Sequence, residues 1–370
     1  MLHLLVLKLP MAQTATAIDL DSFDVKALTI DEGYGVKGLS DMNLKTLPKQ
    51  FIQPPEERFT EHTLILEESI PVIDISNWND PKVADIVCDA AEKWGFFQII
   101  NLGIPAEILQ SVMDATHRFF ELPPKEKMKY NKKNSPTTNV FLRTSFVPEI
   151  ETAMEWHDKL TFLYVSDEEA QSFWPPICRN QVLDYIKPCE LLAKRLLGML
   201  MKRLNVTEID KSKESMLMGS KKVNLNYYPK CPEPELTIGI GCHSDLSTIS
   251  ILPQDVIGGL YVRKLENDSW IYVSPIDGAL VINIGDALEI ISNGRYRSIE
   301  HCVTVNKHHN RISAPFFAGP EPSAIIGPLE EVLESSGEKP LYKKVLYSDY
   351  AAHFFTKAHG GKDKIQFAII

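Results

Sequence analysis

Two histidines and one aspartate have the types and spacing of a metal centre. His243 and Asp245 are separated by one residue, and His301 follows later, in a segment that also has the pattern of short strands. In a β-strand, residues i and i+2 lie on the same face, so His243 and Asp245 can reach one point. Two imidazoles and one carboxylate on one side of an ion leave coordination positions open for a co-substrate and oxygen together. The pattern therefore predicts a non-haem iron site at these three residues.

Arg311 and Ser313 form a candidate carboxylate-binding pair shortly after His301. They also stand at i and i+2, so a guanidinium fork and a hydroxyl point the same way. An inward-facing arginine near a metal is costly unless an anion pairs with it, and a dicarboxylate bound to the iron would supply that anion. Upstream, further hydroxyl and amide partners alternate onto one strand face, namely Asn224, Asn226 and Tyr228.

The residues before His243 are predicted to leave room for ligands. Gly239 and Gly241 share a strand face with His243, while the apolar residues between them take the other face. Cys242 and Cys302 each adjoin one of the histidines, which raises the alternative of thiolate ligands. Because the pleat turns both cysteines to the opposite face, their predicted role is packing.

A single His-x-Asp pair is weak evidence, because most histidines are ordinary core or surface residues. The rival interpretation is therefore a β-barrel that only binds ligands, or one that holds zinc. The pair of Arg311 and Ser313 favours the iron site, since a zinc hydrolase needs no buried carboxylate clamp facing its metal.

Short strands dominate the segment that carries these residues. Eight of them follow one another beyond residue 221, separated by turn signals such as Gly258-Gly259 and Asp277-Gly278. Their predicted ranges are 223–228, 237–242, 248–252, 260–263, 270–273, 280–284, 298–306 and 312–317. This series favours a mainly β fold with flanking helices, in which a jelly roll forms the core.

The first half of the chain is mixed and largely helical. Strands are predicted at 70–76 and 95–100, and helices at 81–93, 105–120 and 182–204. Residues 1–68 are polar and loosely patterned, so we expect a partly flexible extension, with order beginning at Ile70. The domains expected after it are an N-terminal domain at 69–185, the β domain at 219–320 and a helical tail at 321–370.

The composition argues against several kinds of partner and compartment. The net charge of −10 disfavours a nucleic acid, and no apolar run approaches the length that spans a bilayer. Six cysteines without a C-x-x-C pair predict reduced thiols. The apolar start resembles a signal peptide only faintly, because no basic region precedes it. We therefore expect a cytoplasmic protein that starts at Met1 or Met11, with the sequons at Asn205 and Asn267 unused.

Taken together, the motifs resemble those of the plant 2-oxoglutarate/Fe(II) dioxygenases. The matching segments are Ile70-Pro-Val-Ile-Asp-Ile, Trp94-Gly-Phe-Phe-Gln, Asn226-Tyr-Tyr-Pro-Lys-Cys231, His243-x-Asp245, Asn283-Ile-Gly-Asp286, Ser298-x-Glu-His301 and Arg311-x-Ser313. The resemblance covers about residues 70–360 and implies a double-stranded β-helix flanked by helices. It implies that Fe(II) is bound by His243, Asp245 and His301. It also implies that Tyr228, Arg311 and Ser313 hold the distal carboxylate of 2-oxoglutarate.

Such a family consumes oxygen and converts 2-oxoglutarate to succinate and carbon dioxide while it oxidises a substrate. We expect no catalytic residue beyond the iron centre, and ascorbate as a supporting reductant. Finer resemblance, at 144–158 and 347–370, is to the hydroxycinnamoyl-CoA ortho-hydroxylases of coumarin biosynthesis, which accept feruloyl-CoA, p-coumaroyl-CoA or both. The expected partner is therefore a small aromatic CoA thioester, with no nucleic acid and no membrane.

One departure from the family pattern affects the expected substrate contacts. After Trp156-x-Asp158 the family usually has an aromatic residue, whereas this chain has Lys159. Oxidation of a flavonoid or another phenylpropanoid therefore remains the alternative function.

Further residues are expected near the aromatic substrate and its CoA group. Phe317 shares a strand face with Arg311 and Ser313, so we expect it to contact the substrate together with Asn224; a core phenylalanine is the alternative. The CoA group requires local positive charge in an acidic protein. The first candidate cluster is Lys125, Lys127, Lys129, Lys132 and Lys133, and the second is Lys221 and Lys222, although a solvated surface explains either.

Overall fold

The computed structural model describes residues 24–59, 68–145, 148, 151–264, 269–356 and 361–370, together with the backbone of residues 64–65. The apolar start of the chain, the sequon at Asn267 and most of the hairpin turn expected at 266–269 lie outside the described residues. Within these ranges, no helix combines the length and the apolarity that a membrane span needs.

Two mostly antiparallel sheets form a jelly roll, as the strand pattern predicts. In chain order the strands are β1 Leu64–Ile65, β2 Val72–Asp74, β3 Phe96–Ile100, β4 Val140–Thr144, β5 Asp158–Tyr164, β6 Ser220–Tyr228, β7 Ile240–His243, β8 Ile249–Leu252, β9 Leu260–Arg263, β10 Trp270–Tyr272, β11 Leu280–Ile284, β12 His301–Val303, β13 Arg311–Ser313, β14 Phe316–Gly319, β15 Ile325–Ile326 and β16 Val345–Leu346. The larger sheet has the order β2-β3-β11-β8-β14-β6-β5-β4, with β13 also paired to β6. The smaller sheet has the order β1-β10-β9-β12-β7.

Helices flank the two sheets. In chain order they are α1 Gly35–Asp41, α2 Pro81–Lys93, α3 Ala106–Phe120, α4 Pro124–Lys127, α5 Asp167–Phe173, α6 Arg179–Arg203, α7 Lys211–Met218, α8 Asp286–Ile291, α9 Glu330–Ser336 and α10 Tyr347–Thr356. The start of α2 follows from its sequence, because Asp80 accepts a hydrogen bond from the Lys82 amide and Pro81 occupies the first turn. The long α6 packs against α2, α3 and the sheet strands β8 and β14.

The two-residue period of the strands separates two cores. In β11, the alternate residues Leu280, Ile282 and Ile284 face the covering helices. Val281 belongs to a second core inside the jelly roll, and Asn283 lines a cavity there. The strand period therefore decides which side chains can reach the interior of the jelly roll.

Order begins well before Ile70, so that expectation was wrong. Within residues 24–59, Val36, Leu39 and Phe51 are fully buried in the second core. Phe51 meets the ring of Trp156 edge-on, with 5.0 Å between the ring centroids. This segment is stabilised by contacts that are distant in sequence, which local hydrophobic periodicity cannot reveal.

Several elements of the β region differ from their predicted ranges. The strand expected at 312–317 is two strands, β13 and β14, because Pro315 interrupts the ladder between them. The strand expected at 237–242 is shorter and shifted, as β7, and the strand expected at 298–306 is shorter, as β12. The strand pair β4 and β5 and the short helix α8 were missed.

Candidate active site

The structure brings His243, Asp245 and His301 to one point inside the jelly roll. His243 ends β7 and lies directly opposite His301 of β12 in the strand register. Each histidine Nε2 lies 3.9 Å from Oδ1 of Asp245. The candidate ligand atoms all lie within 4.8 Å of one another, and among the described residues this is the one such group of three His, Cys, Asp or Glu side chains. The arrangement fits a facial triad.

Backbone carbonyls fix the orientation of both imidazoles. Nδ1 of His243 lies 2.8 Å from the Gly241 oxygen, and Nδ1 of His301 lies 3.2 Å from the Ile299 oxygen. If each Nδ1–H donates to its carbonyl, both Nε2 atoms are left unprotonated and directed at the shared point. Burial, reinforced by His301, lowers the pKa of His243 to about 3, so its ring is neutral as a metal ligand must be.

The carboxylate of Asp245 is oriented by two side chains of the larger sheet. Its Oδ2 accepts hydrogen bonds from Ser250 Oγ at 2.5 Å and Asn283 Nδ2 at 2.7 Å, which leaves Oδ1 facing the histidines. Burial alone would raise the pKa of Asp245, but His301, His243 and these two donors bring it below its usual value. Asn283 stood in a recognised motif without an assigned role, whereas no sequence signal marked Ser250. Only the register of β8 and β11 brings Ser250 and Asn283 together.

The small residues before His243 leave room for an aromatic ring. A Cβ added at Gly239 would lie 2.9 Å from Cδ1 of Tyr228, so glycine is needed where that ring passes. Cys242 and Cys302 do not line the cavity, as the pleat predicts. Their thiols are hydrogen-bonded to each other, and Cys302 is fully buried.

Arg311 is buried in the same cavity without an ionic partner. It is 2% exposed, and no carboxylate among the described residues lies within ion-pair distance of it. Its Nη2 donates to Gln254 Oε1 at 2.9 Å, while its Nε has no hydrogen-bond partner. Its guanidinium carbon lies 4.8 Å from the centroid of the Tyr228 ring. A buried guanidinium of this kind requires an anionic ligand.

The register explains which side chains surround Arg311. Arg311 pairs with Tyr228, and Ser313 pairs with Asn226, across β13 and β6. Asn226 donates to Ser313 Oγ at 3.3 Å, while its own carbonyl oxygen has no partner. The structure therefore brings together Tyr228, Arg311 and Ser313, the three residues expected to hold the distal carboxylate.

The two expected substrate residues also line the cavity. Phe317 faces inward while Phe316 is fully buried on the helix side, so strand alternation persists past Pro315. Asn224 Oδ1 accepts a hydrogen bond from Thr161 Oγ1 at 2.9 Å. Lys159 lines the cavity as well, at the position where an aromatic residue was expected. Three further phenylalanines line the cavity and had not been predicted to do so. They come from distant elements: Phe96 from β3, and Phe354 and Phe355 from α10.

Within each of the two lysine clusters proposed for CoA, the side chains lie in different environments. Lys127 is only 3% exposed and its ammonium donates to the Tyr34 carbonyl, so it is not a surface charge. Lys221 points away from the cavity and pairs with Glu190. Its neighbour Lys222 points into the cavity. Neither cluster therefore forms a continuous surface patch.

Comparison with known protein families agrees with this site. Residues 220–320 match the 2OG-Fe(II) oxygenase superfamily, and residues 70–183 match the family described as non-haem dioxygenase in morphine synthesis, N-terminal. A curated bi-functional coumaroyl CoA and feruloyl CoA ortho-hydroxylase from Ipomoea batatas is 59% identical over 347 residues, covering 94% of this chain and 97% of the relative. This chain belongs to the 2OG-Fe(II) oxygenase superfamily.

Other members of the superfamily match over nearly the whole chain. A feruloyl CoA ortho-hydroxylase from Ipomoea batatas is 60% identical, covering 94% of this chain and 97% of the relative. A bi-functional coumaroyl CoA and feruloyl CoA ortho-hydroxylase from Ruta graveolens is 54% identical, covering 98% and 99%. Among solved structures, JOX2 in complex with 2OG, Fe and JA is 30% identical with a TM-score of 0.79, covering 90% and 97%. A rice dioxygenase for auxin oxidation shares the fold at 20% identity, with a TM-score of 0.68 over 81% of this chain and 100% of that one.

Proposed function

We propose that this 2OG-Fe(II) oxygenase hydroxylates the aromatic ring of a hydroxycinnamoyl-CoA ortho to its acyl chain. Feruloyl-CoA, p-coumaroyl-CoA or both are the substrates, and the products lead to coumarins such as scopoletin or umbelliferone. The observation that carries the substrate class is the identity of 54–60% to curated coumaroyl- and feruloyl-CoA ortho-hydroxylases over 94–98% of the chain.

The iron would be held by His243, Asp245 and His301. Their Nε2 and Oδ1 atoms converge on one face, and their other polar atoms have protein partners. When bound there, iron supplies the oxidation of the substrate by molecular oxygen, coupled to conversion of 2-oxoglutarate to succinate and carbon dioxide. Ascorbate would act only as a supporting reductant.

The co-substrate would be oriented by the buried pocket around Arg311. The guanidinium and the hydroxyls of Ser313 and Tyr228 offer donors to a carboxylate, and the orphaned Arg311 Nε is available as a further donor. A five-carbon dicarboxylate has the two charged ends needed to reach both this pocket and the metal. The same cavity that binds the ring also keeps bulk water from the reacting atoms.

The aromatic ring would lie against Phe317, with Asn224 beside it. Both residues line the cavity that contains the triad. Stacking on Phe317 would fix the plane of the ring, and so determine which ring carbon approaches the metal.

The direct test supplies the purified protein with Fe(II), 2-oxoglutarate, ascorbate and oxygen. We expect feruloyl-CoA or p-coumaroyl-CoA to gain one oxygen atom for each succinate formed, and to yield the fluorescent coumarin after ring closure. The matching free acids should react far more slowly. Robust oxidation of a flavonoid with no reaction of either thioester would contradict the substrate class and leave the iron chemistry standing.

We also propose that the protein is cytoplasmic. All six cysteines are free thiols, which is typical of a reducing compartment. A fluorescent fusion should distribute through the cytosol, and accumulation in the secretory pathway would contradict the proposal.

A further inference from the structure

Four side chains form a continuous row across the inner face of the larger sheet. In the register, Lys222 of β6 pairs with Phe317 of β14, Phe317 pairs with Ser250 of β8, and Ser250 pairs with Asn283 of β11. Ser250 and Asn283 donate hydrogen bonds to Asp245, so one end of the row lies at the metal site. Since neighbouring strands lie about 4.8 Å apart, the backbone of Lys222 is about 10 Å from that of Ser250. A six-membered ring resting on Phe317 spans the space between them.

The far end of the row is a half-buried lysine. Among the described residues, Lys222 makes no ion pair, and its ammonium lies 4.1 Å from the centroid of the Phe317 ring. Burial lowers the pKa of Lys222, and the charge that opposes this effect is that of Asp245. Iron(II) bound to Asp245 would more than neutralise that carboxylate. When the metal site is loaded, Asp245 therefore no longer supplies the charge that favours protonated Lys222.

A second cation stands beside it. Lys159 of β5 lines the same cavity, and its charge is opposed by those of Lys222 and Arg143. The charges of Glu155 and Glu151 favour the charged form of Lys159. Because Lys222 and Lys159 line the same wall, an anion bound between them would be attracted by both.

We propose that Lys222, assisted by Lys159, binds the phenolic oxygen of the hydroxycinnamoyl ring as a phenolate and thereby selects para-hydroxylated rings. The inference rests on the proposed function and adds the group that the pocket recognises. The phenol is the one ionisable group on the acyl part of such a thioester. Conjugation with the thioester makes it more acidic than the phenol of tyrosine, whose pKa is about 10. The acyl end must point outward to leave space for CoA, so the phenol end is directed at the cavity wall.

Binding without turnover tests this assignment by a spectroscopic signature. The iron- and 2-oxoglutarate-loaded protein is titrated with p-coumaroyl-CoA at pH 7 in the absence of oxygen. An ionised 4-hydroxycinnamoyl thioester absorbs at longer wavelength than the neutral phenol, so we expect a red-shifted band on binding. Cinnamoyl-CoA, which lacks the phenol, measures the affinity that does not depend on it.

The variants separate recognition of the phenol from support of the fold. Lys222→Met should abolish the red-shifted band and weaken p-coumaroyl-CoA binding by roughly 10- to 150-fold, the range for a charge-assisted hydrogen bond, with little change for cinnamoyl-CoA. Lys159→Met should have the same effect in smaller degree. Lys222→Arg, unlike Lys222→Met, should retain the red-shifted band. Lys221→Met is the matched control, because Lys221 lies next to it on the opposite face of β6 and pairs with Glu190.

Each other outcome overturns the inference in a recognisable way. Equal losses for both thioesters would assign the lysines to CoA phosphates, and a larger loss for p-coumaric acid than for its thioester would assign them to a carboxylate. A band that persists in both lysine variants would exclude them as phenolate partners. Failure of the parent protein to bind either thioester would instead refute the proposed function, and this inference with it.

Discussion

Each metal-facing side chain is held by a partner that occupies its other polar atom. The backbone oxygens of Gly241 and Ile299 lie within hydrogen-bond distance of the Nδ1 atoms of the two histidines. Asn283 donates a hydrogen bond to Oδ2 of Asp245. Such partners set ligand orientation, and their mutation typically lowers metal affinity or activity by about 10- to 100-fold. The three ligands themselves contribute little to the apolar core, since they border a cavity.

Removal of a ligand should therefore eliminate activity without unfolding the protein. We predict that His243→Ala, Asp245→Ala and His301→Ala each lose turnover and bound iron, while the circular dichroism spectrum stays that of the parent. Cys302→Ala is the contrast, because it removes a fully buried thiol outside the cavity. It should lower stability by on the order of 1 kcal/mol and retain iron. A triad variant with near-normal activity would exclude that residue as a ligand.

Replacement of the guanidinium should affect the co-substrate selectively. Arg311→Lys keeps the charge but replaces a bidentate fork by a single ammonium. A charge-assisted hydrogen bond contributes about 1.5–3 kcal/mol, so KM for 2-oxoglutarate should rise by roughly 10- to 150-fold. KM for the aromatic thioester should change much less. Equal changes in both constants would mean that Arg311 supports the jelly roll and does not bind 2-oxoglutarate.

At the scale of elements, local alternation predicted the site better than it predicted the fold around it. His243 with Asp245, and Arg311 with Ser313, follow from a period of two within one strand. Lys222 follows from the same period, because it shares a face of β6 with Asn224 and Asn226. Ser250 joins the cavity only through pairing between strands, which no local pattern specifies. The buried position of Lys127 likewise depends on its carbonyl partner Tyr34, which lies far away in sequence.

The start of α8 links the iron-binding loop to the C-terminal helix. Oδ2 of Asp286 accepts hydrogen bonds from Ser244 Oγ at 3.1 Å and Tyr350 Oη at 2.7 Å. Burial raises the pKa of Asp286 to about 6, although Ser298 and Tyr350 oppose the shift. Its ordinary value is about 3.9, so the folded state holds the proton more tightly than the unfolded state between about pH 4 and 6.

This carboxyl should make the protein less stable as pH rises through that interval. Its stabilising effect is complete below about pH 4 and is lost as pH passes 6, a change on the order of 3 kcal/mol. Asp286→Asn keeps an acceptor for Ser244 and Tyr350 but cannot ionise. We predict that urea unfolding of the metal-free variant gains this amount over the parent between pH 4 and pH 7. A constant difference between the two proteins across this range would show that Asp286 does not have the raised pKa.

At the scale of the whole molecule, positive charge is divided among several cavities. Lys125 and Lys129 line a cavity bordered by Trp174 and Arg179, and none of its lining residues lines the iron cavity. Lys129 and Lys133 are paired with Glu126 and Asp31, with separations of 2.5 and 3.3 Å. Acidic side chains therefore already offset part of the positive charge on this side of a chain whose net charge is −10.

The lysine cluster at residues 125–133 should consequently be dispensable for substrate binding. We predict that Lys125→Glu combined with Lys129→Glu changes KM for feruloyl-CoA by no more than about twofold, because exposed charges are screened beyond about 10 Å at 0.1 M salt. The same assay is run with the N-acetylcysteamine thioester, which lacks the CoA phosphates, at low and high salt. Suppose instead that KM rises several-fold for feruloyl-CoA alone and that salt removes the effect. That result would assign the CoA group to this cluster, and the thioester would have to leave the iron cavity on the side of α4.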